Sequence, residues 1–148
     1  MDGLDRPAHG GDGLAFRWLG TAGLALRAGG AGLLVDPFFT RPPARALLTF
    51  ERVAPDPALI ARNTPPASYV LVTHAHYDHL LDVPEILRLT GAQAFGPENV
   101  CALLKLHGLP GSQINLVRPG DQLELGPFTV EVFPGYHIRT PIDRLINS

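Results

Sequence analysis

Two short runs, Ala15-Phe16-Arg17-Trp18-Leu19 and Leu24-Ala25-Leu26-Arg27, are apolar and aromatic apart from one arginine each. After Gly29-Gly30-Ala31-Gly32 an apolar run, Leu33-Leu34-Val35, ends at Asp36. Short strands separated by glycine turns predict an antiparallel meander. From Phe38 to Pro66 the pattern breaks. Pro42, Pro43, Pro55, Pro57, Pro65 and Pro66 block regular pairing while Phe38, Phe39, Leu47, Leu48 and Phe50 supply apolar surface. That predicts a long ordered loop, of the kind that walls a pocket. Arg41, Arg45 and Arg52 are its candidate anion contacts, solvated arginines being the commoner outcome.

The pattern returns with Tyr69-Val70-Leu71-Val72, a β-rich apolar run that reads as a buried strand. Asp82-Val83-Pro84-Glu85 reads as a capping box opening a helix that ends at Thr90-Gly91. Ala92-Gln93-Ala94-Phe95 is a strand, and Pro97 opens a helix with Val100, Leu103 and Leu104 on one face. His107, just before Gly108, fits a helix C-terminus better than a ligand position. Ile114 to Val117 is a further strand. Leu123-Glu124-Leu125 and Phe128 to Phe133, joined by Gly126-Pro127, form a hairpin that leads directly into Gly135-Tyr136-His137. The strand-helix alternation predicts an α/β (α+β) layer. Residues 1–13, rich in Gly and Asp and poor in apolar surface, are expected to be a disordered leader with a solvated His9, and 14–148 to be the folded part.

Composition narrows the class. The 148 residues are 45% hydrophobic with a formal charge of −2, enough for one domain with a core. So nearly neutral a chain favours no nucleic-acid partner. No run of about 18 apolar residues predicts a membrane segment, and residues 1–6 have neither the basic nor the apolar region of a secretory signal. The single cysteine, Cys101, falls in an apolar helical pattern and cannot pair within the chain. A cytoplasmic location is expected.

The chemistry is concentrated in Thr73-His74-Ala75-His76-Tyr77-Asp78-His79-Leu80-Leu81-Asp82. Three imidazoles and a carboxylate within six residues, directly after a strand, suit a divalent metal: zinc first, with iron or manganese also fitting. In an extended loop His74, His76 and Asp78 would project alike while His79 would need a sharp backbone turn to join them, which favours two ions over one. Asp36, before Pro37, is open to two readings, a turn former or an acid beside this loop. His137 repeats the placement of His74 beyond a strand end, where a lone imidazole is more often a core or surface residue.

The run His74-Ala75-His76-Tyr77-Asp78-His79 resembles the H-x-H-x-D-H signature of the metallo-β-lactamase superfamily of metallohydrolases. With Trp18-Leu19-Gly20 and Asp78 to Asp82 it is most similar to the branch of ascorbate-6-phosphate lactonase-like and N-acylphosphatidylethanolamine phospholipase D-like enzymes. The resemblance implies an αββα sandwich of which this chain supplies the N-terminal half, the C-terminal half with its bridging Asp and last His being absent. It also implies His74, His76 and His137 as ligands of a first ion, Asp78 and His79 as ligands of a second, and Asp36 as a residue ordering the ligand loop. Asp78 would be the catalytic residue, orienting water for attack on an ester, lactone or phosphodiester of a small molecule. Thr21 stands where that branch commonly has His, Leu80-Leu81 depart from thioesterase-like and glyoxalase-like members, and Asp143 follows His137 too closely to bridge. The competing expectation is a non-catalytic half-domain that keeps a partial metal site, self-associates or needs a partner segment.

Overall fold

The computed structural model describes residues 13–42 and 53–135. Most of the expected leader, together with Arg45, Arg52 and His137, lies outside them. Strands β1 (Ala15–Gly20), β2 (Gly23–Ala28) and β3 (Ala31–Val35) form the antiparallel meander. Gly29 and Gly30, at φ 51° and 81°, supply the paired left-handed residues that match a two-residue hairpin to strand twist. Gly32 belongs to β3 and not to the turn.

Beyond β3 the sheet becomes parallel, through β4 (Tyr69–Leu71), β5 (Gln93–Gly96) and β6 (Ile114–Leu116), so that its six strands lie in chain order. Helices make the crossovers: α1 (Pro57–Asn63) before β4, α2 (Tyr77–Leu80) and α3 (Val83–Thr90) before β5, α4 (Glu98–Leu106) before β6. Strand alternation sorts side chains onto two faces. Ala25, Leu34, Val70 and Ala94 point to the helices and pack with Ile60, Val83, Ile86, Leu87, Val100 and Leu104. Leu33 and its neighbours Tyr69, Leu71 and Phe95 point the other way, onto Leu125 and Phe128 of the hairpin β7 (Gln122–Leu125) and β8 (Phe128–Glu131). Each large aliphatic side chain buried this way contributes about 1.5–3 kcal/mol.

Several sequence expectations change. The segment from Phe38 to Pro66 holds a helix, α1, because Asp56 accepts a hydrogen bond from Leu59 N at 3.0 Å and Pro57 occupies the first turn, where proline is preorganised and not disruptive. Asp82 precedes α3 but makes no side-chain cap; its carboxylate is taken by a different segment. β8 stops at Glu131, though pairing continues through Val132 N to Asp121 O at 2.9 Å. Among the described residues no helix is long and apolar enough to cross a membrane.

Candidate metal centre

The site gathers at the C-terminal edge of the parallel strands, the edge where α/β sheets open crevices to ligands. β3 delivers Asp36. The chain there has φ 43°, a left-handed conformation that costs a non-glycine residue free energy and that clusters at functional positions. The conformation is held by Asp36 N donating to Leu71 O at 2.9 Å, and it aims a buried carboxylate at the next strand's exit. Oδ1 accepts from Thr73 N at 2.8 Å; Oδ2 accepts from Thr73 Oγ1 at 2.7 Å and from His79 Nδ1 at 2.8 Å.

His79 reaches Asp36 because the donor segment does not stay extended. His76 occupies the N-cap position of α2, and its carbonyl accepts from His79 N and Leu80 N, both at 3.0 Å. One helical turn thus folds His79 back over His74, their ring centroids 3.9 Å apart, with His76 at 4.6 Å from His74. The sharp turn that the sequence left conditional is present.

This network sets tautomers. The Thr73 hydroxyl has one proton, which goes to Asp36; its oxygen can then accept from His74 Nδ1 at 2.9 Å. With Nδ1–H of His74 and His79 donating into this network, Nε2 is the ring nitrogen of each with which a metal would be held, the arrangement by which outer hydrogen bonds orient ligating histidines. His74 Nε2 lies 3.1 Å from His76 Nδ1. Two nitrogens on one tetrahedral zinc at about 2.0–2.1 Å are roughly 3.3 Å apart, so this pair is already at chelating separation. His79 Nε2 lies 3.7 Å from Asp78 Oδ2, a second pair of opposite donor type. Among the described residues no three such side chains are grouped to hold one ion. The donors therefore stand as two pairs, and imidazole with carboxylate is a set that fits a divalent ion.

Thr73 and Asp82 carry weight that sequence patterns did not assign them. Thr73 is a hydroxyl directly before the first histidine, which is its only signal. Asp82 is fully buried; its Oδ2 accepts from Phe39 N at 2.6 Å and Thr40 N at 2.7 Å, while Oδ1 has no partner among the described residues. Spacing cannot reveal an acceptor 42 residues from its donor.

The profile of the Beta-lactamase superfamily domain matches residues 32–146. The chain belongs to that family. It is 32% identical over 126 residues to a UPF0173 metal-dependent hydrolase of Pyrobaculum arsenaticum, covering 84% of this chain and 51% of that protein. A UPF0173 metal-dependent hydrolase of Chelativorans sp. is 32% identical over 124 residues, covering 84% and 48%. Among solved structures, the novel metallo hydrolase Igni18 of Ignicoccus hospitalis superposes with a TM-score of 0.61 at 25% identity, over 82% of this chain and 48% of that one. The metallo-β-lactamase fold is thus shared, and the chain spans about half the length of the curated relatives it matches.

Proposed function

We propose that this superfamily chain carries the first donor groups of a metal-dependent hydrolase. His74 and His76, with His137, would hold one ion, and Asp78 with His79 a second, zinc being the ion best suited to so imidazole-rich a set and iron or manganese also fitting. The supporting observation is the Asp36–Thr73 network, which engages Nδ1 of two imidazoles while Nε2 of His74 faces His76 and Nε2 of His79 faces Asp78. The relatives described as metal-dependent hydrolases support the reaction type.

When bound, a divalent ion polarises a scissile carbonyl or phosphoryl oxygen and lowers the pKa of a coordinated water towards about 7. The chain's own residues supply order. Asp36 and Thr73 hold the imidazole tautomers, and the Asp78 carboxylate, partly exposed beside His79, accepts a hydrogen bond from the attacking water and directs it. The bond cleaved would be an ester, lactone or phosphodiester of a small molecule, following the resemblance to the lactonase-like and phospholipase D-like branch. A cytoplasmic setting suits the lone, buried, reduced Cys101.

Turnover of p-nitrophenyl acetate and bis(p-nitrophenyl) phosphate by zinc-loaded chain tests this reading. Asp78→Ala is expected to lower the rate by about a hundredfold or more while His74–His76 metal is retained. Equal rates in the two proteins would remove Asp78 from the mechanism.

A second reading has its own observation. Phe16 and Trp18 pair across to Leu26 and Leu24 and so share the hairpin-covered face, yet they are 71% and 67% exposed, and Phe133 is 76% exposed. On this reading the face takes a further segment or a second copy, and hydrolysis belongs to the completed assembly. Size-exclusion chromatography with light scattering would then find dimers; a monomer that melts cooperatively argues against it.

A further inference from the structure

We propose that Arg41 is a preset oxyanion-binding residue beside the donor segment, and that the molecule acted on carries a carboxylate or phosphate group near the bond that is cleaved. The substrate clause rests on the hydrolase reading above; the anion site rests on its own geometry.

Four observations fix Arg41 where a solvated arginine would be loose. Its backbone follows directly on Phe39 and Thr40, whose amides are both held by the buried Asp82 carboxylate, and Thr40 Oγ1 accepts from Asp56 N at 3.0 Å. A carboxylate taken wholly out of water is costly unless it is well bonded, and here it serves to pin the two residues before Arg41. The guanidinium carbon stands 5.0 Å from the Phe38 ring centroid, within cation–π range. Nη2 donates to Leu19 O at 3.3 Å. A Cβ at Gly20 would sit 2.6 Å from that same nitrogen, so the bare glycine leaves the guanidinium its room.

The location is at the donor edge. The β1–β2 turn abuts Asp36, since a Cβ at Gly23 would lie 3.1 Å from Asp36 O. Phe38, under the guanidinium, meets Tyr77 edge to face, with centroids 6.1 Å apart at 84°. Tyr77 is 46% exposed and stands between the candidate donors His76 and Asp78. Phe38 thus links the cation to the donor segment, with the phenol as an exposed apolar surface beside it. Arg41 is exposed, and no carboxylate pairs with it among the described residues. A held guanidinium with donors to spare presents the planar fork that carboxylate and phosphate accept bidentately.

The test is a ¹H–¹⁵N NMR titration of the full chain with inorganic phosphate and, separately, acetate, following Arg41 Nε and the amides of Gly20 and Thr21. Saturable shifts with either anion are expected, weakened about tenfold to a hundredfold in Arg41→Gln, less so in Arg41→Lys, and retained in His76→Ala. A response to phosphate alone points to phosphorylated substrates, and one to acetate alone to carboxylates. Absent shifts, or equal affinity in a folded Arg41→Gln, would overturn the site; shifts lost in His76→Ala but kept in Arg41→Gln would move the anion to the donors. Metal content measured on the same samples separates the two claims, because a metal-free chain that still binds anions at Arg41 would sink the hydrolase reading and leave the anion site standing.

Discussion

Asp36 makes more of the candidate site than any donor does. One carboxylate bonds Thr73 twice and His79 once, so Asp36→Asn is expected to weaken zinc affinity about tenfold to a hundredfold with little change in fold, as read by competition against a chromophoric chelator. Asp82 differs in that its bonds are structural. Asp82→Ala leaves the buried Phe39 and Thr40 amides unpaired, at about 1–3 kcal/mol for each. Asp82→Asn keeps one acceptor oxygen and should cost less; urea denaturation of the two variants measures the difference. Cys101 gives a pH signature. Burial pushes its thiol up, against the opposing pull of Lys105, and Sγ donates to Gly96 O at 3.3 Å. The native state therefore favours the protonated thiol: that contribution is complete below the unfolded value, about 8.5, and is lost as pH rises through the raised folded value. Urea midpoints of wild type should accordingly fall further between pH 7 and pH 10 than those of Cys101→Ala.

At the scale of elements, what the sequence made legible was what local pattern controls. The meander, the strand-helix alternation and the Gly126-Pro127 hairpin follow from periodicity and turn residues close in sequence. The donor motif was legible for the same reason, being six consecutive residues. α1 was obscured because Pro57 looks like a breaker until Asp56 before it is seen as its cap. The helical turn of α2 is short, and what sets it in place is the long-range bond from His79 to Asp36. Asp82 was misread because the helix-start pattern and a buried acceptor for distant amides use the same residue. Close approach is likewise invisible locally. A Cβ at Gly32 would clash with the Pro66 carbonyl oxygen, so Gly32→Ala must push apart the chain entering β4 and should cost about 1–3 kcal/mol, measured as a lowered thermal midpoint.

For the whole molecule, the sheet has one face sealed by helices and the other sealed at its centre by the hairpin, with Phe16 and Trp18 uncovered at the meander edge. That asymmetry and the half-length match to family relatives frame the catalytic question, since a pocket needs walls as well as donors. Four of the candidate donors, His74, His76, Asp78 and His79, are placed by β3, β4 and α2 within the described residues, while His137 lies outside them. Metal content by elemental analysis of the purified full chain and of His76→Ala is therefore the most direct measurement. At least one tightly held divalent ion per wild-type chain is expected, with loss of the first-site ion in the variant. A folded wild-type chain that takes up no ion after incubation with zinc, or a variant that retains the full complement, would contradict that expectation.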